Sequence, residues 1–220
     1  MNTSIASSQL VQAFAACPLV AILRGLPVAD ASAIGYAVFN AGFRIIEVPL
    51  NSPSPFLSIQ SIAKQLPQAL VGAGTVLTVD DVERVQAAGG NLIISPNFNP
   101  HVVRKAVALG MVCMPGVMTA SEAFAALDAG AHALKIFPAE MASPAVIKAL
   151  RAVLPSNAIV LPVGGITPDN MATYRAAGAN GFGIGSALYK PNQSAAITQL
   201  NATQFIAAYD NITLTLDKKV

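Results

Sequence analysis

The sequence predicts an α/β protein folded as a (β/α)8 barrel, the TIM-barrel architecture, with an added N-terminal helix and a C-terminal helix. Eight short apolar runs rich in β-branched residues begin every 20 to 26 residues, and amphipathic, alanine-rich segments separate them. This spacing is typical of repeated βα units. Eight such units in 220 residues are typical of one barrel domain, so we expect residues 1–220 to form a single domain.

The predicted strands are near-continuous apolar runs, as expected for parallel strands that are buried on both faces. They cover residues 19–25, 44–50, 70–76, 92–97, 112–116, 133–138, 159–165 and 181–186. An open doubly wound sheet is the alternative, and its dinucleotide-binding form carries Gly-x-Gly-x-x-Gly after the first strand. The first strand here ends in Arg24-Gly25-Leu26-Pro27 instead. The strand number and this missing turn favour the barrel.

The helices between the strands have recognisable starts and ends. Thr119 is followed three positions later by Glu122, the pattern of a capping box, and Pro168 is placed for a first helical turn. Glycines suited to left-handed C-terminal caps follow many helices, at Gly42, Gly89, Gly110, Gly130 and Gly178. A leading helix is predicted over residues 3–16, and a terminal helix outside the repeat over 194–218.

Composition excludes several functional classes. The net charge is +2, and the 13 basic residues are scattered, so we expect no nucleic-acid partner. No uninterrupted apolar stretch reaches the length of a membrane span. The first positive charge is Arg24, which is not expected of a secretory signal. Cys17 and Cys113 have no motif spacing, so we expect buried thiols and a cytoplasmic protein.

Polar residues late in the predicted strands are the candidate functional residues, because active sites of barrels lie at the C-terminal ends of the strands. Arg24, Glu47, Thr75, Asn97 and Lys135 occupy such positions. Side chains alternate along a strand, and the neighbours of Glu47 and Lys135 on the opposite face are bulky aliphatic residues suited to packing under helices. Glu47 and Lys135 are therefore predicted to face the barrel interior.

Two interpretations of Glu47 and Lys135 are open: a structural ion pair, or a reactive pair. Burial lowers the pKa of a lysine, and the neutral amine can then form a Schiff base with a carbonyl carbon. A nearby carboxylate would move protons at the adjacent carbon. This is aldolase chemistry without a metal. The two histidines, His101 and His132, belong to no ligand cluster, so no metal and no cofactor are expected.

The ends of the last two predicted strands are rich in glycine, which allows a phosphate to approach the backbone. Gly164, Gly165, Gly185 and Ser186 lie where barrels typically bind phosphate, with helices expected to follow both strands; ordinary turn glycines are the alternative. Arg24 is suited either to binding a carboxylate or to pairing with Glu47.

Several longer stretches resemble the 2-keto-3-deoxy-6-phosphogluconate/4-hydroxy-2-oxoglutarate aldolase family over about residues 18–209. The matching stretches are AILRG (21–25), IIEVPLNSP (45–53), VGAGTVL (71–77), ISPN (94–97), MPGVMTASEA (114–123), ALKIFPAE (133–140), VGGITPDN (163–170) and GIGSALY (183–189). The resemblance implies a trimeric, metal-free class I aldolase that acts on a phosphorylated keto-deoxy sugar acid and yields pyruvate and glyceraldehyde 3-phosphate.

The resemblance also implies roles for individual residues. Lys135 would be the Schiff-base lysine and Glu47 the proton-transferring acid. The other implied substrate-binding residues are Arg24 and Thr75 near the keto acid, Pro96 and Phe137 in the pocket wall, and Gly164, Gly165, Gly185 and Ser186 at the phosphate. For Thr75, a hydroxyl hydrogen bond to the ligand and a turn-capping role are both open.

Two departures from the phosphogluconate branch indicate the galactonate branch of the family. Asn51-Ser52 replaces the Arg-Thr common in the phosphogluconate branch, and Val163 replaces a threonine. Val163 would help to orient the sugar acid. Alternatives remain: cleavage of the gluconate epimer, a phosphate-binding isomerase with Glu47 as base and Lys135 acting electrostatically, and a barrel that only binds a phosphorylated sugar acid.

Overall fold

The computed structural model describes residues 2–217, and the side chains of residues 6–214. The strands are β1 (Leu19–Ile22), β2 (Ile45–Pro49), β3 (Leu70–Gly74), β4 (Leu92–Ile94), β5 (Val112–Met114), β6 (Gly116–Val117), β7 (Leu134–Ile136), β8 (Val160–Pro162) and β9 (Phe182–Ile184). The α-helices are α1 (Asn2–Ala16), α2 (Val28–Ala41), α3 (Pro55–Gln65), α4 (Val79–Ala87), α5 (Pro100–Ala108), α6 (Ala120–Asp128), α7 (Pro144–Arg151), α8 (Met171–Ala176) and α9 (Ala195–Asp217). A 3-10 turn covers Ala139–Met141.

The strands form a closed parallel barrel, as predicted. One part of the sheet has the order β5-β4-β3-β2-β1-β9, and the other has the order β6-β7-β8. β5 and β6 are the two halves of the predicted fifth strand, which is interrupted at Pro115, a residue with no N–H to donate. A parallel bridge between Val163 and Gly183 joins β8 to β9 and closes the ring.

The barrel interior is apolar at the end where the strands begin, and α1 closes this end. Ala6, Leu10 and Ala13 of α1 pack in one cluster with inward-facing residues of the strands, including Ile45 and Leu161. A second, larger cluster lies between the strands and the outer helices. The strands are thus buried on both faces, which explains their near-continuous apolar sequences.

The C-terminal helix is present, but the prediction that it lies outside the repeat is wrong. α9 follows the last strand and packs against both α2 and α8, so it fills the eighth place in the ring of helices. The helix outside the repeat is α1. Residue 218, the last residue of the predicted terminal helix, lies outside the described residues.

Local signals in the sequence agree with the observed helix ends. Thr119 and Glu122 form the predicted capping box at the start of α6. The five predicted capping glycines have positive φ angles. Cys17 and Cys113 are buried free thiols. Within residues 2–217, no helix combines the length and the apolar character needed to cross a membrane.

Candidate active site

Lys135 lies in the middle of β7 and its side chain points into the barrel. It pairs with Gly116 of β6 on one side and with Leu161 of β8 on the other, and only 6% of it is exposed. Its Nζ lies 4.6 Å from the centre of the Phe137 ring. Burial lowers the pKa of Lys135, and the charge of Arg24 lowers it further, although Glu47 opposes the change. The surroundings therefore favour the neutral, nucleophilic amine.

Glu47 lies in β2 and also points into the barrel, where it is 2% exposed. Burial raises its pKa from 4.5 to about 7, with the charges of Lys135 and Arg24 and the Gly74 amide opposing the change. Its Oε2 is buried without a hydrogen-bond partner among the described residues. Gly74 makes room for this carboxyl group, because a Cβ at that position would overlap it. Glu47 can accordingly accept or release a proton near neutral pH.

Glu47 and Lys135 do not form the structural ion pair that the sequence left open. Both face the interior, as predicted, and both line a small cavity there with Val163. Among the described residues, the ion pairs within 4.0 Å are Arg84–Asp81 and Lys105–Glu83. The lysine and the glutamate influence each other only through space, and burial shifts both towards their neutral forms.

Arg24 lies after β1, at the mouth of the barrel, and it does not pair with Glu47. Its Nη1 donates a hydrogen bond to Oδ1 of Asn51 at 3.0 Å. The neighbouring Gly25 N–H donates to Oγ of Ser52 at 2.9 Å. Asn51 and Ser52 thus hold the loop that carries Arg24. The guanidinium is exposed to the cleft, where a carboxylate can reach it.

A cleft of about 500 Å³ opens above Lys135 and brings together most of the predicted site residues. Its lining includes Arg24, Lys135, Phe137, Val163, Gly164, Gly165, Gly185 and Ser186. Glu47 lies deeper, in the adjoining interior cavity. Thr75 and Pro96 line neither of these two cavities. Thr75 has a φ of +57°, an unusual conformation for a β-branched residue, and its hydroxyl makes no hydrogen bond to a described residue.

The loop after β8 holds the first pair of predicted phosphate-binding glycines. Gly164 and Gly165 have φ angles of +108° and +62°, a conformation that glycine adopts without strain. The Asn170 side chain fixes the loop, since its Nδ2 donates to the Gly165 carbonyl at 2.8 Å and its Oδ1 accepts from the Thr167 N–H at 3.0 Å. The short helix α8 follows this loop.

The loop after β9 differs from the prediction, because no helix follows that strand directly. Ser186–Leu188 form a turn in which the Leu188 and Tyr189 N–H groups donate to the Gly185 carbonyl, and α9 begins only at Ala195. A Cβ at Gly185 would meet no atom within 4 Å, so this glycine borders open space. The turn leaves room for a ligand between the two glycine-containing loops.

The sequence did not single out two charged residues that line the cleft, Glu140 and Lys190. Glu140 belongs to the 3-10 turn after β7, and Lys190 follows the turn after β9. Both lie outside the strands, so the alternation that revealed Lys135 does not apply to them. Their positions a few residues beyond the C-terminal ends of two strands were the available signal.

The fold and the site together define a (β/α)8-barrel enzyme with an interior lysine and glutamate at the C-terminal ends of its strands. Residues 11–203 match the aldolase family described as KDPG and KHG aldolase. The chain belongs to this family.

Individual relatives agree over most of the chain. A protein of Rhizobium meliloti (strain 1021) named as a probable 2-dehydro-3-deoxy-6-phosphogalactonate aldolase is 50% identical over 196 residues, covering 89% of this chain and 92% of that protein. The 2-dehydro-3-deoxy-6-phosphogalactonate aldolase of Escherichia coli (strain K12) is 49% identical and covers 87% of this chain and 94% of its own. A solved structure described as native KDPGal superposes with a TM-score of 0.88 at 47% identity, covering 90% and 96% of the two chains.

Proposed function

We propose that this protein is a class I aldolase that reversibly cleaves 2-dehydro-3-deoxy-6-phosphogalactonate into pyruvate and glyceraldehyde 3-phosphate. The observation that carries the proposal is Lys135, an almost fully buried lysine whose pKa is lowered, beside a glutamate whose pKa is raised to about 7. The names of the two relatives that are about half identical support the choice of substrate.

In the proposed reaction, the neutral amine of Lys135 attacks the C2 carbonyl carbon of the sugar acid. The resulting carbinolamine loses water and becomes an iminium ion, which draws electrons from the neighbouring bonds. Ionised Glu47 accepts the proton of the C4 hydroxyl as the C3–C4 bond breaks, and glyceraldehyde 3-phosphate leaves. The protonated Glu47 then returns its proton to C3 of the enamine. Water hydrolyses the remaining imine, which releases pyruvate and restores the amine.

Two parts of the cleft would bind the two charged ends of this substrate. Arg24 is free to bind the carboxylate next to C2, and its bond to Asn51 positions it at the cleft wall. The phosphate would bind at the other end, between the loop of Gly164 and Gly165 and the turn of Gly185 and Ser186. Val163 lines both the cleft and the interior cavity, and there it would contact the sugar carbons. Thr75 would lie near the keto acid and Pro96 in the pocket wall, and the resemblance to the aldolase family is the support for both roles.

Borohydride trapping tests the Schiff base. Incubation with pyruvate and borohydride should attach a reduced pyruvyl group to Lys135, located by mass spectrometry of the digested protein. Lys135→Met should not be labelled, whereas Lys148→Met, which removes an exposed lysine of α7, should be labelled like the wild type. An unlabelled wild-type protein, or label on another lysine, would rule out this mechanism. The isomerase alternative forms no imine, so the same experiment separates the two.

Parallel cleavage assays on the two epimers test the choice of substrate. We expect a higher kcat/KM for the galactonate epimer than for the gluconate epimer. The two differ in one hydroxyl orientation, and a pocket that is tolerant of a hydroxyl discriminates weakly, so we expect both to be cleaved. Preference for the gluconate epimer would assign the enzyme to the other branch. Binding without turnover of either epimer would support the non-catalytic alternative.

We further propose that the protein acts as a homotrimer in the cytoplasm. The resemblance to the aldolase family supports the trimer. The two buried free cysteines agree with a reducing compartment. Sedimentation equilibrium of the untagged protein should give a mass three times that of the 22.6 kDa chain. A monomer mass that does not change with concentration would refute the trimer.

A further inference from the structure

The carboxylate of Glu140 lies against the glycine loop that we assign to the phosphate. A Cβ on Gly164 would overlap Oε2 of Glu140, and a Cβ on Gly165 would lie 2.8 Å from its Cγ. The side chain of Glu140 therefore covers both glycines from the side of the cleft. An acidic group at this place is unexpected, because the proposed ligand of the loop is itself an anion.

No other group in the described part of the chain holds the Glu140 carboxylate in this position. It makes neither a hydrogen bond nor an ion pair with any described residue. The Tyr174 hydroxyl, which lies nearby, donates to the Ala139 carbonyl instead. Lys190 also lines this cleft, and its ammonium group is likewise without an ion-pair partner among the described residues. No hydrogen bond or ion pair with a described residue therefore offsets the negative charge of the Glu140 carboxylate beside the glycine loop.

We propose that Glu140 is a specificity-determining residue of the phosphate end, because its carboxylate occupies the approach to Gly164 and Gly165 and repels the incoming dianion. This inference rests on the proposed function, since it assumes that a phosphorylated substrate binds here. Each phosphorylated ligand must displace the carboxylate. A substrate that is held by Lys135 at its other end presents its phosphate at a high effective concentration. Free phosphate and other small phosphorylated anions are not held by Lys135, so they should bind weakly.

The proposal predicts a gain in phosphate affinity when the charge of Glu140 is removed. A pair of unit charges a few ångströms apart in water-like surroundings changes affinity by about fivefold. Phosphate carries about 1.5 charges near neutral pH, so Glu140→Gln should strengthen the binding of inorganic phosphate by roughly tenfold relative to pyruvate. Salt should reduce this gain, because exposed charges are screened.

The test measures dissociation constants of inorganic phosphate and of pyruvate by calorimetry with the full chain, at low and high salt. Asp128→Asn is the matched control, since it changes the net charge equally at the end of α6 and Asp128 does not line the cleft. An unchanged affinity ratio in Glu140→Gln, an equal gain in Asp128→Asn, or a gain that salt does not reduce would each overturn the proposal. Borohydride trapping of pyruvate on the same samples tests the proposed function independently, because trapping does not involve the phosphate end.

Discussion

Replacing Glu47 with glutamine should make the protein more stable at alkaline pH while it impairs the chemistry. Burial raises the pKa of Glu47 from 4.5 to about 7. The unfolded chain releases this proton near pH 4.5, whereas the folded protein keeps it until about pH 7. The protonated Glu47 therefore contributes to the free energy of unfolding, fully below pH 4.5, and this contribution is lost as the pH rises through 7. The loss at alkaline pH is about 3 kcal/mol, because one pKa unit corresponds to about 1.4 kcal/mol.

Glutamine has no charge to bury. At about pH 8.5, the free energy of unfolding of Glu47→Gln should therefore be about 3 kcal/mol higher than that of the wild type. The two proteins should differ little near pH 4.5. The contribution of Lys135 has the opposite sign, since its lowered pKa costs stability as the pH falls. Glu47→Gln removes the charge that opposes this lowering, which offsets part of the gain.

Urea unfolding of both proteins at the two pH values measures this difference. Glu122→Gln is a control of opposite sign. Hydrogen bonds from the Met118 N–H and from the N–H and hydroxyl of Thr119 lower the pKa of Glu122. Its contribution is present above pH 4.5 and is lost as the pH falls through its folded pKa, so this variant should be less stable than the wild type at neutral pH.

The same Glu47→Gln protein should still form the pyruvate adduct on Lys135 but largely lose proton exchange at the pyruvate methyl group. Stability curves of Glu47→Gln and wild type that run parallel from pH 4.5 to 8.5 would refute the assigned pKa of about 7. Normal methyl exchange in the variant would remove Glu47 from the mechanism.

Two further substitutions test the interior and the cleft. Gly74→Ala places a Cβ where the Glu47 carboxyl lies, so it should destabilise the fold by about 1–3 kcal/mol and slow methyl exchange by roughly 100-fold. Urea unfolding measures the first effect and the exchange rate the second. Gly185→Ala is the stability control, because its Cβ would meet no atom within 4 Å. Equal losses of stability in the two variants would contradict the steric argument. Lys190→Met keeps the apolar stem but loses the charge, so inorganic phosphate should bind roughly tenfold more weakly in calorimetry at low salt. An equal loss in Lys148→Met would show that only net charge matters.

The interior assignments were predictable because the strands of a barrel obey a strict alternation. Lys135 and Glu47 interrupt apolar runs, and their outward-facing neighbours identify the face on which they lie. The same rule gives no information beyond the strand ends. Glu140 and Lys190 occupy irregular connections, where the direction of a side chain depends on the local turn and not on periodicity. Ser186 was found from its glycine neighbours, but the turn that holds it, in place of the expected helix, could not be inferred from composition.

The sequence also did not predict which of the two terminal helices packs into the ring of outer helices. Both α1 and α9 are long and rich in alanine, so nothing in their composition tells which of them joins the ring. The packing of α9 against α2 decides it, and that contact spans most of the chain. The interruption of the fifth strand at Pro115 was visible as a proline. The structure shows that pairing continues on both sides of it, since the N–H groups of His132 and Phe137 donate to the Cys113 and Val117 carbonyls, and the Pro115 carbonyl itself accepts from the Lys135 N–H.

The reactivity of the site depends on the exclusion of water from the far end of the barrel. Burial is the largest cause of both pKa changes, the fall for Lys135 and the rise for Glu47. That burial requires a closed interior, and α1 supplies the closure by packing Leu10 with its neighbours against the inward-facing strand residues. If water entered at the end that α1 closes, Lys135 and Glu47 would return towards their charged forms. Each charge would then interact more strongly with water than with the other charge. The N-terminal helix therefore supports the proposed chemistry at the opposite end of the strands, although none of its residues with a described side chain, 6–16, lines the cleft or the interior cavity.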